Sequence, residues 1–129
     1  MFIYRLGQFI RYHCNSKEFE HLYVKLNRKY VELFLNCVFP TSCLVGVGSI
    51  VLHPYNIVLD PNGKIGNGCL LSNNIVIESD TSSKIGAPII GDNVSIGYGA
   101  IIIGEVEIGD NTQISAGSVT TKSFEKNLK

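Results

Sequence analysis

The chain has 129 residues, enough for one domain with a small core. Its 11 basic and 11 acidic side chains cancel without forming a Lys/Arg cluster, which argues against nucleic acid or an anionic membrane as a partner. Cys14, Cys37, Cys43 and Cys69 show no C-x-x-C spacing, and no apolar run approaches the roughly 20 residues of a membrane span, so reduced thiols in a soluble cytoplasmic protein are expected.

The first 12 residues, M-F-I-Y-R-L-G-Q-F-I-R-Y, are interrupted by Arg5, Gln8 and Arg11, and no small-residue cleavage site follows. They read as part of the fold rather than as a secretory leader. Phe2, Leu6, Phe9, Ile10 and His13 recur at spacings of three and four, which predicts an amphipathic helix. Asn15-Ser16 is a helix-start signal, with Glu18 and Glu20 in the turn that follows. Phe19, Leu22, Leu26, Tyr30, Leu33 and Cys37 then form one stripe of a second helix. These stripes are expected to pack on each other, on the rest of the chain or on another subunit. Residues 1–38 are thus read as a helical segment.

From Phe39 the period becomes six. Phe39, Val45 and Val51 share one register, Leu59, Ile65, Leu71 and Ile77 a second, and Ile90, Ile96, Ile102, Ile108 and Ile114 a third. Glycine often follows, and four residues after each aliphatic comes a mostly small one: Cys43, Ser49, Gly63, Cys69, Thr81, Ala100, Thr112, Ser118. A short strand plus a turn makes one flat side, and three sides make a triangular coil. The aliphatic points inward, contributing about 1.5–3 kcal/mol when fully buried. One unit cannot cover its own apolar face, so several must stack. The expectation is a mainly β protein, a parallel β-helix over residues 39–122 with a tail at 123–129. In this pattern Cys43 and Cys69 are packed thiols rather than reactive or metal-binding ones.

The count slips twice. Eight residues instead of six separate Val51 from Leu59, and the surplus lies in S-I-V-L-H-P-Y-N-I-V-L-D. Thirteen separate Ile77 from Ile90, across E-S-D-T-S-S-K-I-G-A-P-I, a polar loop leaving the stack. Insertions on a rigid coil are natural places for function, and the two are expected to flank a common groove.

The runs F-P-T-S-C-L-V-G-V-G-S-I-V-L-H-P-Y-N-I-V-L-D, A-P-I-I-G-D-N-V-S-I-G-Y-G-A and I-G-D-N-T-Q-I-S-A-G-S-V-T-T-K resemble the hexapeptide-repeat acetyltransferases. The pattern is similar to the serine-acetyltransferase-like branch and its smaller relatives from polysaccharide gene clusters. The resemblance implies a left-handed β-helix, a homotrimer, and acetyl-CoA bound between neighbouring subunits, with no metal. It implies that His53 is the catalytic base, a task that suits imidazole near neutral pH, while Pro54 confines the backbone of His53 to extended geometry. His13 and His21 read as ordinary helix residues. The resemblance places Tyr98, Ala100, Ala116, Thr121 and Lys122 along the acetyl-CoA groove, where Lys122 would meet a phosphate of CoA. The amides near Gly86 and Ala87 are placed by position as stabilisers of the oxyanion.

Three departures bear on the acceptor. Val38 and Leu52 stand where serine acetyltransferases carry acidic residues, Ala87 stands in place of a second histidine, and Thr81-Ser82-Ser83-Lys84 replaces a glycine-threonine-glycine loop. An amino-acid acceptor wants complementary charge; a sugar hydroxyl does not. The expectation is therefore O-acetylation of a saccharide or glycan precursor, with serine O-acetylation as the alternative. A zinc hydratase on the same scaffold would need about three histidines, and only His53 lies in the repeats. A non-catalytic β-helix scaffold is the remaining alternative.

Overall fold

The computed structural model describes Arg5, Phe9, Tyr12, His13 and residues 17–82 and 86–123. Most of the first predicted helix, Cys14, residues 83–85 and the tail after Ser123 lie outside the described residues.

Among the described residues twelve short strands form three parallel sheets, one for each side of a triangular coil. Side 1 holds β1 (Leu44–Val45), β4 (Lys64–Ile65), β7 (Ile89–Ile90) and β10 (Glu107–Ile108). Side 2 holds β2 (Ile50–Val51), β5 (Leu70–Leu71), β8 (Ser95–Ile96) and β11 (Gln113–Ile114). Side 3 holds β3 (Val58–Leu59), β6 (Val76–Glu78), β9 (Ile101–Ile103) and β12 (Val119–Thr120).

Chain neighbours lie on different sides, and hydrogen-bonded neighbours lie one coil apart. The inward residues from Val45 to Ile114 are the predicted hexapeptide aliphatics, joined by Thr120 and aligned in three ladders. Val45, Ile65, Ile90 and Ile108 line side 1, and Val51, Leu71, Ile96 and Ile114 line side 2. Leu59, Ile77, Ile102 and Thr120 line side 3. All are buried except Val51, which is half-buried against the core.

The second inward slot is less uniform than its predicted small residue. Ile57, Ile75, Val94 and Val106 also occupy it and are buried. Each coil combines large and small side chains here, Cys43 and Ser49 with Ile57 and Gly63 and Cys69 with Ile75, so that volume is filled without strain. Thr81, which the spacing placed in this slot, is instead exposed in a turn, because the chain has already left the stack.

Helix α1 (Lys17–Asn27) runs through a π-helical turn, Arg28–Glu32, into a last turn at Leu33–Leu35. Asn36 ends it in the left-handed region, φ 51°. The predicted stripe is not the face that packs. Tyr23 and Val31 are buried and Leu35 packs on the core, whereas Phe19, Leu22, Leu26, Tyr30 and Leu33 are exposed. Cys37 is the one member of the stripe that is buried. Two apolar faces lie side by side on this helix, and the one with spacing of four meets the coil.

Candidate active site

Backbone pairing identifies the surplus residues of the first slip. The amide of Leu52 donates to Leu71 O and that of Ser72 to Ile96 O, so Leu52 and Ser72 are equivalent. The amide of Asn74 donates to Tyr55 O and that of Gly99 to Asn73 O, so Tyr55 and Asn73 are equivalent. What remains between Leu52 and Tyr55 is His53 and Pro54. The inserted pair is thus the histidine and the proline themselves, at the corner joining side 2 to side 3, and both are exposed.

This corner is well supported. Asn36, Asn56 and Asn74 stack in the left-handed region at φ 51°, 53° and 56°. Asn36 Nδ2 donates to Asn56 Oδ1 at 2.6 Å, and Asn56 Nδ2 to Asn74 Oδ1 at 2.8 Å. Gly99 and Gly117 continue the column, also at positive φ. A Cβ at Gly117 would meet nothing within 4 Å, so the last coils leave the corner open where the first two carry amide side chains. The residue ahead of each column member is Leu35, Tyr55, Asn73, Tyr98 and Ala116 in turn.

Tyr98 and Ala116 therefore share the His53 corner, and the imidazole stacks with the Tyr98 ring, centroids 6.4 Å apart and planes 20° apart. The backbone of His53 is pinned by Tyr55 N–H donating to His53 O at 2.8 Å. Among the described residues the imidazole has no hydrogen-bonding or ionic partner, and Val38 and Leu52 supply none.

The other predicted site residues lie elsewhere. Gly86, Ala87, Thr121 and Lys122 are at the corner from side 3 to side 1, where Gly86 faces the Glu105 side chain. Ser123 Oγ accepts from Glu107 N–H at 2.9 Å and ties the segment carrying exposed Lys122 to the coil. Ala100 is fully buried, so its methyl belongs to the core rather than to a groove surface. The two insertions consequently do not flank one groove within the chain. They bound opposite edges of side 3, whose outer face carries Val58, Val76, Ile101 and Val119 in register. A cavity of about 680 Å³ lies apart from all of these residues, between Phe9, Tyr12 and His13 and the outer face of side 1.

One residue at the second corner escaped the sequence reading. The buried carboxylate of Asp60 accepts from Ser79 N–H at 2.9 Å, Ser79 Oγ–H at 2.6 Å and Asn62 N–H at 2.7 Å. Burial alone would raise its pKa, but these donors outweigh it and hold the carboxyl below the usual range. Asp60 thereby fastens the root of the second loop. The D-P-N-G turn signalled the Asn62 contact, but nothing in sequence paired Asp60 with a serine 19 residues away.

Residues 87–122 match the family model described as bacterial transferase hexapeptide (six repeats). The chain is 31% identical to the serine acetyltransferase of Buchnera aphidicola over 94% of its own length and 45% of that protein. It is 26% identical to Escherichia coli WcaB, named as a colanic acid biosynthesis acetyltransferase, over 79% of its length and 63% of that protein. The fold matches serine acetyltransferase from Brucella abortus in complex with coenzyme A at a TM-score of 0.80, with 22% identity over 97% of this chain and 48% of that one. The chain thus spans about half the length of the relatives it matches. It carries the hexapeptide-repeat transferase match over residues 87–122 on a left-handed parallel β-helix, and is similar to serine acetyltransferases and to WcaB.

Proposed function

We propose that the chain is an acetyl-CoA-dependent O-acetyltransferase with His53 as general base. The observation that carries this reading is the insertion itself: the two residues added to an otherwise six-residue count are His53 and Pro54, and they project an imidazole from a rigid corner. His53 takes the proton of the acceptor hydroxyl as its oxygen attacks the thioester carbonyl. The proton then passes to the departing CoA sulfur, and the neutral imidazole is restored. Such help is typically worth about 10²–10⁴-fold.

The separation of the two corners supports a groove completed by a second copy. In that arrangement the His53 corner of one chain, with Tyr98 and Ala116, faces Gly86, Ala87, Thr121 and Lys122 of a neighbour in a homotrimer. The bare surface at Gly117 fits a slender pantetheine arm, and exposed Lys122 fits a phosphate. Ala100 contributes to the core that holds the corner. No described helix is long and apolar enough to cross a membrane, which is consistent with a cytoplasmic enzyme.

For the acceptor, similarity to serine acetyltransferases over 94% of the chain favours L-serine. A saccharide hydroxyl is the second reading, favoured by the uncharged Val38 and Leu52 at the positions where the resemblance expects acidic residues and by the likeness to WcaB. Titration with acetyl-CoA followed by thiol release with L-serine and a sugar panel tests both. Binding near one site per chain, weakened by Lys122→Ala, is expected. No binding at millimolar acetyl-CoA would leave a non-catalytic scaffold as the better reading.

A further inference from the structure

A general base must have its nitrogen aimed as well as placed, and among the described residues His53 lacks the usual means. Pro54 restricts the backbone of His53 but leaves both side-chain torsions of the imidazole free. No described carboxylate or carbonyl holds the ring, and Val38 and Leu52 are apolar. The restraint the structure shows is Tyr98. It stands two coils further along the same corner, and its ring reaches back past the shorter Asn73 to stack on the imidazole at 6.4 Å and 20°. Its own root is fixed, since Tyr98 O accepts from Gly117 N–H at 2.6 Å and the following Gly99 N–H donates to Asn73 O at 3.2 Å.

We propose that Tyr98 is the positioning residue of His53, setting the plane of the imidazole by ring stacking in place of a hydrogen-bonded carboxylate. This rests on the reading of His53 as the base. Offset stacking at this separation is within the preferred range for aromatic pairs, and it depends on the ring rather than on the phenol hydroxyl. A misplacement of about 1 Å at a reacting group can cost 10²-fold in rate, so a base with a free ring should be slow although its chemistry is intact. A positioning role and a cofactor-lining one differ in their readout. A residue that only lines the acetyl-CoA path alters donor affinity, whereas one that orients the base alters turnover.

The test compares Tyr98→Phe, which keeps the ring, with Tyr98→Leu, which removes it; Tyr98 is half-exposed, so both are expected to fold, with melting temperature as the check. The first readout needs no acceptor. Proton signals of the His53 ring, assigned by their loss in His53→Ala, are expected to move downfield in Tyr98→Leu and to stay near wild type in Tyr98→Phe. The dissociation constant for acetyl-CoA, measured alongside, separates a change in donor binding at this corner from a change in turnover. With whichever acceptor turns over, kcat at saturating acetyl-CoA should fall about 10- to 100-fold in Tyr98→Leu, and Tyr98→Phe should restore it. Unmoved His53 signals in Tyr98→Leu, or weakened acetyl-CoA binding with kcat intact, would overturn the proposal. A fully active His53→Ala would overturn the base assignment instead, and the ring signals would still show whether the pair exists.

Discussion

The Asp60 carboxylate and Ser79 are joined twice, by the serine amide at 2.9 Å and its hydroxyl at 2.6 Å. This clasp closes the end of one coil against the point where the second loop departs from the next. Hydrogen bonds to a charged group contribute about 1.5–3 kcal/mol net. Its sign with pH follows from the lowered carboxyl pKa, first opposed by burial and then outweighed by the Ser79 and Asn62 donors. The stabilisation is present above the ordinary aspartate range, near 4, and is lost as pH falls through the lower folded-state value.

Asp60→Asn should therefore lower the melting temperature at pH 7. It should also flatten its decline below about pH 4 relative to wild type. Equal acid slopes for the two proteins would mean that the clasp does not carry charge-dependent stability.

Stacked glycines test the tightness of the coil. A Cβ at Gly66 would lie 2.5 Å from the Gly91 carbonyl carbon and oxygen, backbone that cannot swing aside. Gly66→Ala should destabilise by about 1–3 kcal/mol or more in urea unfolding. At Gly86 the nearest atoms are the Glu105 side chain at 3.4 Å, which can move, so Gly86→Ala should change stability by less than about 0.5 kcal/mol. Comparable losses at the two sites would contradict the packing described.

Buried thiols give a third prediction. Burial, with a smaller contribution from the Asp60 charge, pushes Cys43 up to about 12, and burial also raises Cys37 and Cys69. The thiolate is the reactive form, so these three should react with an aromatic disulfide at the rate of unfolding in native buffer and at once in denaturant. Fast labelling of Cys43 in the native state would show that its slot is open.

The coil was legible because its inward slot is filled by an aliphatic at nearly every sixth position, and each alignment from Val45 to Ile114 follows from that spacing. The first insertion was legible as a count, and pairing refined it to His53-Pro54. Two things were not. Which of two adjacent apolar faces of α1 meets the coil depends on a π-turn and a docking surface that residue spacing does not encode, so Phe19 and Leu33 were placed with the packed stripe and are exposed. The corner at which each candidate residue lies depends on which side each insertion leaves, so Ala87 and Lys122 stand on another edge from His53.

The most direct measurement is turnover by His53→Ala, with acetyl-CoA affinity and melting temperature recorded alongside. The exposed imidazole carries no core packing, so affinity and stability should match wild type while kcat falls by about 10²–10⁴-fold. A variant that turns over at the wild-type rate would contradict His53 as the base.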